Sequence, residues 1–212
     1  RLYRESWVQG PDKLMRYFYD GLPFLHNAAV RYLLPVMQLG GTEESLRNAY
    51  MRRLELDRVP RDRPVRILEV SVGAGANLDR VFEGLPPGVE CDFWGLDLSE
   101  GMLRVCRRSV GRRRYDNVRL LMGDAHQLPF PDDAFDRVFH VGGIGGFRDP
   151  AAALAEMGRV ARPGTPIVVV DEQLDPARPA GLYTKAMFWA VTFYDDDPHC
   201  PRELLPAGAT DV

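Results

Sequence analysis

Three carboxylates of this 212-residue sequence stand in or just after short apolar runs, where they could hold a polar ligand. Glu69 lies just before a loop that contains Gly73 and Gly75, Asp97 ends the next run, and Asp124 follows the third. Asp97 follows Gly75 by 22 residues, close to the spacing of about 20 at which an acid accepts the ribose hydroxyls of an adenosine cofactor. Taken singly, the loop could be a plain strand-to-helix turn and Asp97 a helix cap. Three acids at three consecutive strand ends are harder to explain in that way, so the set predicts a nucleoside cofactor.

The apolar runs around these acids predict a parallel sheet with crossover helices. Ser99 is a natural helix N-cap and Pro150 a natural first-turn residue. A doubly wound, mostly parallel α/β sheet follows, with its ligand at the carboxyl ends of the strands. Strands are predicted at 65–70, 90–96, 118–123, 136–141 and 166–172, and helices near 77–84, 99–110 and 150–161.

The segment before Pro60 predicts helices instead of strands. Residues 11–20 place Leu14, Tyr17 and Phe18 on one helix face, and residues 42–58 have a threonine cap, acids in the first turn and arginines later. We therefore expect a helical cap or lid over residues 1–60 and an α/β core over residues 61–212. The chain starts without methionine and ends soon after a turn-like segment, which is compatible with a core truncated at its C-terminus.

The composition favours a small-molecule partner. Lys and Arg number 27 against 30 Asp and Glu, a net charge of −3, so the whole molecule offers no general attraction to nucleic acid or to an anionic membrane. The arginine-rich run 104–115 is interpreted as a solvated helix face. The three cysteines show no metal-ligand spacing. We expect a soluble, cytoplasmic protein with no metal site, no nucleic-acid partner and no integral membrane segment.

Four motifs, in order and spacing, resemble the class I S-adenosylmethionine-dependent methyltransferases, and most closely the ubiquinone/menaquinone-biosynthesis type. They are ILEVSVGAGANL at 67–78, GLDLSEGML at 95–103, GDAHQLPFPDDAFDRVF at 123–139 and AALAEMGRVARPG at 152–164. The resemblance covers roughly residues 65–172. Ser71 departs from it, because a glycine is usual at that position.

The resemblance implies S-adenosyl-L-methionine as the cofactor. Glu69 would support its methionine end through the loop, Asp97 would hold the ribose, and Asp124 would accept the adenine amino group. The implied cofactor-binding set is Glu69, Val72, Gly73, Gly75, Asn77, Asp97, Leu98, Met102, Asp124, Ala125, His140 and Tyr19.

The expected reaction is methyl transfer to oxygen or carbon of a small, aromatic or quinone-like acceptor. A sulfonium is already a strong electrophile, so alignment and exclusion of water matter most. His140 is the first candidate for a general base and His26 the second, if the N-terminal helices form a lid. A structural histidine and ordinary helix packing are the plainer interpretations of these two residues.

Two other functions remain open. A nicotinamide-dependent oxidoreductase would share the fold and the ribose acid, but it should show a fuller GxGxxG and a Tyr-x-x-x-Lys pair, and neither is present beside this sheet. A non-catalytic S-adenosylmethionine-binding protein would share both fold and cofactor, because fold does not fix function.

Overall fold

The computed structural model describes residues 16–17, 20, 43–113, 115, 117–171, 173–174, 181–192, 198–206 and 208–210. The strands are β1 (Val65–Val70), β2 (Cys91–Asp97), β3 (Val118–Met122), β4 (Arg137–Val141) and β5 (Ile167–Val170). The helices are α1 (Glu43–Arg53), α2 (Leu78–Gly84), α3 (Glu100–Arg113), α4 (Pro150–Val160) and α5 (Leu182–Val191), with 3-10 turns at Leu56–Arg58, Ile144–Gly146 and Arg202–Leu204. Within these ranges no helix is both long and apolar enough to cross a membrane.

The five strands form one sheet in the order β3-β2-β1-β4-β5, and every neighbouring pair is parallel. This confirms the predicted doubly wound α/β class. From β1 the chain adds β2 and β3 on one side of the sheet, and it then adds β4 and β5 on the other side. The carboxyl ends of β1 and β4 therefore flank the point where strand order reverses, and open α/β sheets bind ligands there.

Helices cover both faces of the sheet, which explains why the strands are nearly continuous apolar runs. Side chains alternate along β1, so Val65 and Ile67 pack in one core cluster with residues of α1, α2 and α3. Leu68 and Val70 pack in the other cluster with residues of α4. Glu69 shares its parity with Ile67 and therefore belongs to the face covered by α1, α2 and α3.

The predicted strands agree with the structure to within two residues at each end that it describes. β1 agrees at both ends, and β2 begins and ends one residue later than predicted, which makes Asp97 its last residue. Helix α3 runs to Arg113 instead of 110, because arginine is a good helix former.

The helix predicted over 42–58 is wrong at its end. Helix α1 stops at Arg53, and Glu55 has a left-handed backbone (φ 45°) before the separate turn Leu56–Arg58. Buried Arg137 of β4 donates to the carbonyls of Leu54 and Glu55, the latter at 2.9 Å, and so binds the chain where the helix ends. Most of the helix predicted over 11–20 lies outside the described residues.

Helix α1 is built into the core of the sheet domain. Met51 and Leu54, with Leu56 and Val59 after them, are buried in the same cluster as Ile67 of β1. The boundary at residue 60 stays a prediction, but this part of the predicted cap shares a core with the sheet.

Candidate cofactor site

The loop after β1 has a left-handed backbone at three positions, with φ values of 60° at Ser71, 54° at Gly73 and 78° at Gly75. A Cβ at Gly75 would lie 2.7 Å from both Cys106 Sγ and Leu78 Cδ1, so this glycine allows α2 and α3 to pack against the loop. Among the residues that the structure describes, a Cβ at Gly73 would meet nothing within 4 Å. Gly73 therefore borders open space, which a bound ligand could fill.

Asp97 ties the glycine loop to the start of α3. Its Oδ2 accepts the Gly73 N–H at 2.7 Å and its Oδ1 accepts the Ser99 N–H at 2.8 Å. Burial raises the pKa of Asp97 to about 6, although these two hydrogen bonds oppose the shift. Each carboxylate oxygen can accept a further hydrogen bond, so the predicted contact with ribose hydroxyls is chemically open to it.

Glu69 is a fully buried carboxylate with one oxygen paired. Its Oε1 accepts the Asn77 Nδ2–H at 2.6 Å. Its Oε2 has no hydrogen-bond partner within the described part of the chain. Burial raises the pKa of Glu69 to about 8, while Asn77 and Arg47 act in the opposite direction. A buried polar atom without a partner is uncommon in native proteins, and a cationic ligand group would satisfy this one.

Asp124 is already engaged by two side chains from the loops around it. His126 contacts its Oδ1 through both the backbone N–H, at 2.9 Å, and the ring Nδ1, at 2.5 Å. Arg148 donates to Oδ2 at 2.9 Å. Burial alone would raise the pKa of Asp124, but these hydrogen bonds outweigh it and lower the pKa to about 2. A ligand that binds Asp124 must share its oxygens with them.

His140 lies within β4, one residue before its end, and pairs in register with Val70 of β1. Its side chain is fully buried, and Nδ1 lies 3.0 Å from the Val70 carbonyl oxygen. A carbonyl can only accept, so Nδ1 carries the proton and Nε2 is left as an acceptor. Nε2 has no hydrogen-bond partner among the residues described. Burial lowers the pKa of His140, so the ring is neutral.

The glycine-rich loop after β4 is held by Asp171, which follows β5. Gly143 donates its N–H to Oδ1 at 2.9 Å, and Gly145 donates to Oδ2 at 3.1 Å. Phe147, at the end of this loop, has its ring 5.3 Å from that of His140, centroid to centroid. The loop thus covers the carboxyl end of β4 beside His140.

The other predicted residues fall into three groups. Val72 is a core residue that packs against β2. Its N–H donates to the Leu96 carbonyl, and its own carbonyl accepts from the Gly75 N–H. Leu98 and Ala125 directly follow Asp97 and Asp124, and Met102 lies in the first turn of α3; Met102 and Ala125 are buried and Leu98 is half-buried. Tyr19 and His26 lie outside the described residues.

Some residues near the site were not predicted from the sequence. Asp20 Oδ1 accepts from Ser99 Oγ at 2.7 Å and from the Gly101 N–H at 2.8 Å. Arg47 and Tyr50 of α1 contact Asn77. These partners lie about 30 to 80 residues apart in the chain, so no local pattern identifies them.

Comparison with known proteins gives the following similarities. Residues 67–164 match a family model described as a methyltransferase domain. The demethylmenaquinone methyltransferase of Thermus thermophilus is 36% identical over 140 residues, which cover 66% of this chain and 62% of that protein. The one from Renibacterium salmoninarum is 38% identical over 171 residues, covering 79% and 62%. This chain thus spans about three fifths of the length of these curated relatives.

A solved structure extends the likeness to the fold. The structure of the cyclase SpnF has a TM-score of 0.58 with this chain at 22% sequence identity. The matched region covers 73% of this chain and 58% of the SpnF chain. At this identity the similarity concerns the arrangement of strands and helices.

Proposed function

We propose that this chain is a class I S-adenosylmethionine-dependent methyltransferase, which transfers a methyl group from that cofactor to a small aromatic or quinone-like acceptor. The match of residues 67–164 to a methyltransferase-domain model, together with the curated relatives, confirms the resemblance seen in the four ordered motifs. One observation carries the proposed activity: Glu69 and Asp97 flank a glycine loop that borders open space at the carboxyl ends of β1 and β2.

The residues of this edge fit the cofactor. When bound, S-adenosylmethionine supplies a methyl group activated by a sulfonium charge. Asp97 has acceptor capacity for the two ribose hydroxyls, and Gly73 permits close approach of the backbone. Oε2 of Glu69, which has no hydrogen-bond partner among the described residues, suits the positive charge of the methionine end. Asp124 and Ala125 are the proposed readers of the adenine edge.

The acceptor is proposed from the curated relatives and from the chemistry beside β4. Those relatives are named for methylating demethylmenaquinone, which supports a quinone-like ring. His140 is the proposed general base, because a neutral imidazole whose Nε2 has no partner among the described residues can take a proton from an acceptor hydroxyl. Its burial requires that the loop at 142–147 admit the acceptor beside it.

The cofactor assignment is tested by calorimetric titration with S-adenosylmethionine, S-adenosylhomocysteine and NAD. We expect the wild type to bind only the two adenosyl ligands with high affinity. Asp97→Asn should weaken them about 10- to 100-fold, the effect of losing hydrogen bonds to a charged group. Asp92→Asn, on the same strand but paired with Arg119 at the far end, is the matched control. Preference for NAD, or no adenosyl binding to folded protein, would contradict the proposal.

Turnover distinguishes an enzyme from a protein that only binds the cofactor. The fold is shared with a cyclase, so fold alone does not decide the reaction. The probe is a reduced 1,4-naphthoquinone with an unsubstituted ring position, incubated with methyl-labelled cofactor. Label in the ring product is expected; tight cofactor binding without transfer to this or to related phenols would favour the non-catalytic alternative.

A further inference from the structure

We propose that Arg47 and Tyr50 of helix α1 are positioning residues of the cofactor site, which act through the amide of Asn77 on Glu69. This inference rests on the proposed function, because it concerns how the same site receives its cofactor. It assigns to the N-terminal helix a role in cofactor affinity.

The Asn77 amide bridges α1 and Glu69. Its Oδ1 accepts from Arg47 Nη1 at 2.6 Å and from the Tyr50 hydroxyl at 2.9 Å, while its Nδ2 donates to Glu69 Oε1 at 2.6 Å. If the amide were reversed, its NH2 group would face two donors and its oxygen would face a carboxylate. Arg47 and Tyr50 therefore fix the orientation in which Asn77 can donate to Glu69.

Helix α1 is a firm support for this bridge. Arg47 Nη1 also donates to the carbonyl of Ala76 at 2.8 Å, so it binds the loop through backbone as well as through the Asn77 side chain. At the other end of the helix, Arg137 holds the Leu54 carbonyl, and Leu54 is buried in the core. The end of α1 is thus held by contacts that do not involve the loop, and Arg47 reaches the loop from this fixed helix.

The consequence for Glu69 is both geometric and electrostatic. The bond from Asn77 fixes Oε1 and leaves the buried Oε2, which has no hydrogen-bond partner among the described residues, as the oxygen with acceptor capacity for a cationic ligand group. Burial raises the pKa of Glu69, and the positive charge of Arg47 lowers it again. Asp97 raises the pKa of Glu69 further, and Cys106 of α3 is the other titratable group of the described residues that interacts with Glu69. Removing Arg47 therefore leaves less Glu69 ionised at neutral pH.

The test is calorimetric titration of S-adenosylhomocysteine, whose amino group is cationic, between about pH 6 and pH 9. Wild-type affinity should rise with pH as Asp97 and then Glu69 ionise. Arg47→Gln should bind about tenfold more weakly at neutral pH, with its profile displaced to higher pH, and Tyr50→Phe about threefold more weakly. Arg47→Lys should restore part of the affinity. Arg52→Gln, an exposed arginine of the same helix, is the control and should behave as wild type.

The outcomes separate this inference from the proposed function. If the folded wild type does not bind S-adenosylhomocysteine, the proposed function fails. If the wild type binds and Arg47→Gln matches it in affinity and pH profile, only the positioning role is overturned. A loss that is equal at every pH, together with a lower melting temperature, would also overturn it, because that pattern is a general loss of structure. Tyr50→Phe, which removes one oxygen atom, decides the case if Arg47→Gln does not fold.

Discussion

At the scale of single residues, burial and hydrogen bonding give the carboxylates of the site different charge states. Asp124, with partners on both oxygens, has its pKa lowered to about 2. Burial raises the pKa of Asp97 to about 6 and that of Glu69 to about 8. A nearby positive charge favours the ionised form of an acid. Glu69 therefore gains most from a cationic ligand, since its charged form is the least stable without one.

The two loop glycines should respond differently to substitution by alanine. In Gly73→Ala the left-handed φ of 54° costs about 1 kcal/mol. The new methyl group enters the open space proposed for the cofactor, so binding of S-adenosylhomocysteine should fall at least about tenfold. In Gly75→Ala the new Cβ would lie 2.7 Å from Cys106 Sγ and Leu78 Cδ1, so the free energy of unfolding should fall by about 2–4 kcal/mol. Urea denaturation and calorimetry measure the two effects.

Gly88 offers a matched control for the backbone strain. Its φ is 81° and a Cβ there also meets nothing within 4 Å in the described part of the chain, but it lies between α2 and β2, away from the carboxyl ends of the strands. Gly88→Ala should therefore cost a similar amount of stability and leave ligand affinity unchanged. Wild-type affinity in Gly73→Ala would show that the open space at this position is not part of the cofactor site.

At the scale of elements, Asp136 joins β4 to the segments that flank its amino end. Arg63 donates to it through two nitrogens, at 2.5 and 2.8 Å, and the Arg66 N–H donates at 2.9 Å. Arg162, after α4, donates to the same carboxylate. Burial alone would raise the pKa of Asp136, but these partners outweigh it and lower the pKa to about 2.

This cluster predicts a loss of stability in acid. The pKa of Asp136 in the folded state lies below its unfolded value, so its contribution is present above about pH 4 and is lost as the pH falls toward 2. Asp136→Asn should lower the free energy of unfolding by about 2 kcal/mol at neutral pH, and the difference should shrink near pH 2. Urea denaturation at both pH values measures it, with exposed Glu90→Gln as the control. A constant difference across this range would contradict the assignment.

The elements were predictable because their signals are local. The inner strands β1, β2 and β4 are largely buried on both faces, and β1 to β5 each appear in the sequence as a short apolar run bounded by turn residues. The contacts that complete the site are not local. Arg137 meets Leu54 across 83 positions of sequence and Arg47 meets Asn77 across 30. The sequence therefore indicated Glu69 and Asp97 by their place at strand ends, but not the side chains that orient them.

At the scale of the whole molecule, the two ends of the sheet differ in what their charges do. At the amino end, Asp136 is surrounded by arginines, and its ionised form stabilises the fold. At the carboxyl end, Glu69 and Asp97 are desolvated acids, and one oxygen of Glu69 has no partner in the described chain. The two desolvated acids therefore lower the free energy of unfolding at neutral pH, relative to uncharged side chains of the same shape. Such a cost is common at functional sites.

The same arrangement predicts that the ligand-free protein is most stable in mildly acidic solution. The folded pKa values of Glu69 and Asp97 lie above their unfolded values, so their contribution is complete below about pH 4 and is lost as the pH rises through about 6 and 8. Asp124 and Asp136 have lowered values, and their contribution is lost below about pH 4. The free energy of unfolding should therefore be highest near about pH 4 and should fall progressively as the pH rises from there toward about 8.

Glu69→Gln tests this profile, because the amide keeps the shape of the side chain and an oxygen for the Asn77 bond but has no charge. The variant should be more stable than wild type by about 2–4 kcal/mol near pH 8.5, and the difference should close toward about pH 5. Urea denaturation without ligand measures both curves, and exposed Glu90→Gln should follow wild type. Parallel curves for Glu69→Gln and wild type would mean that the ionisation of Glu69 does not determine alkaline stability. Saturating S-adenosylhomocysteine should narrow the gap at high pH, because the bound cation stabilises ionised Glu69 in the wild type and finds no such charge in the variant.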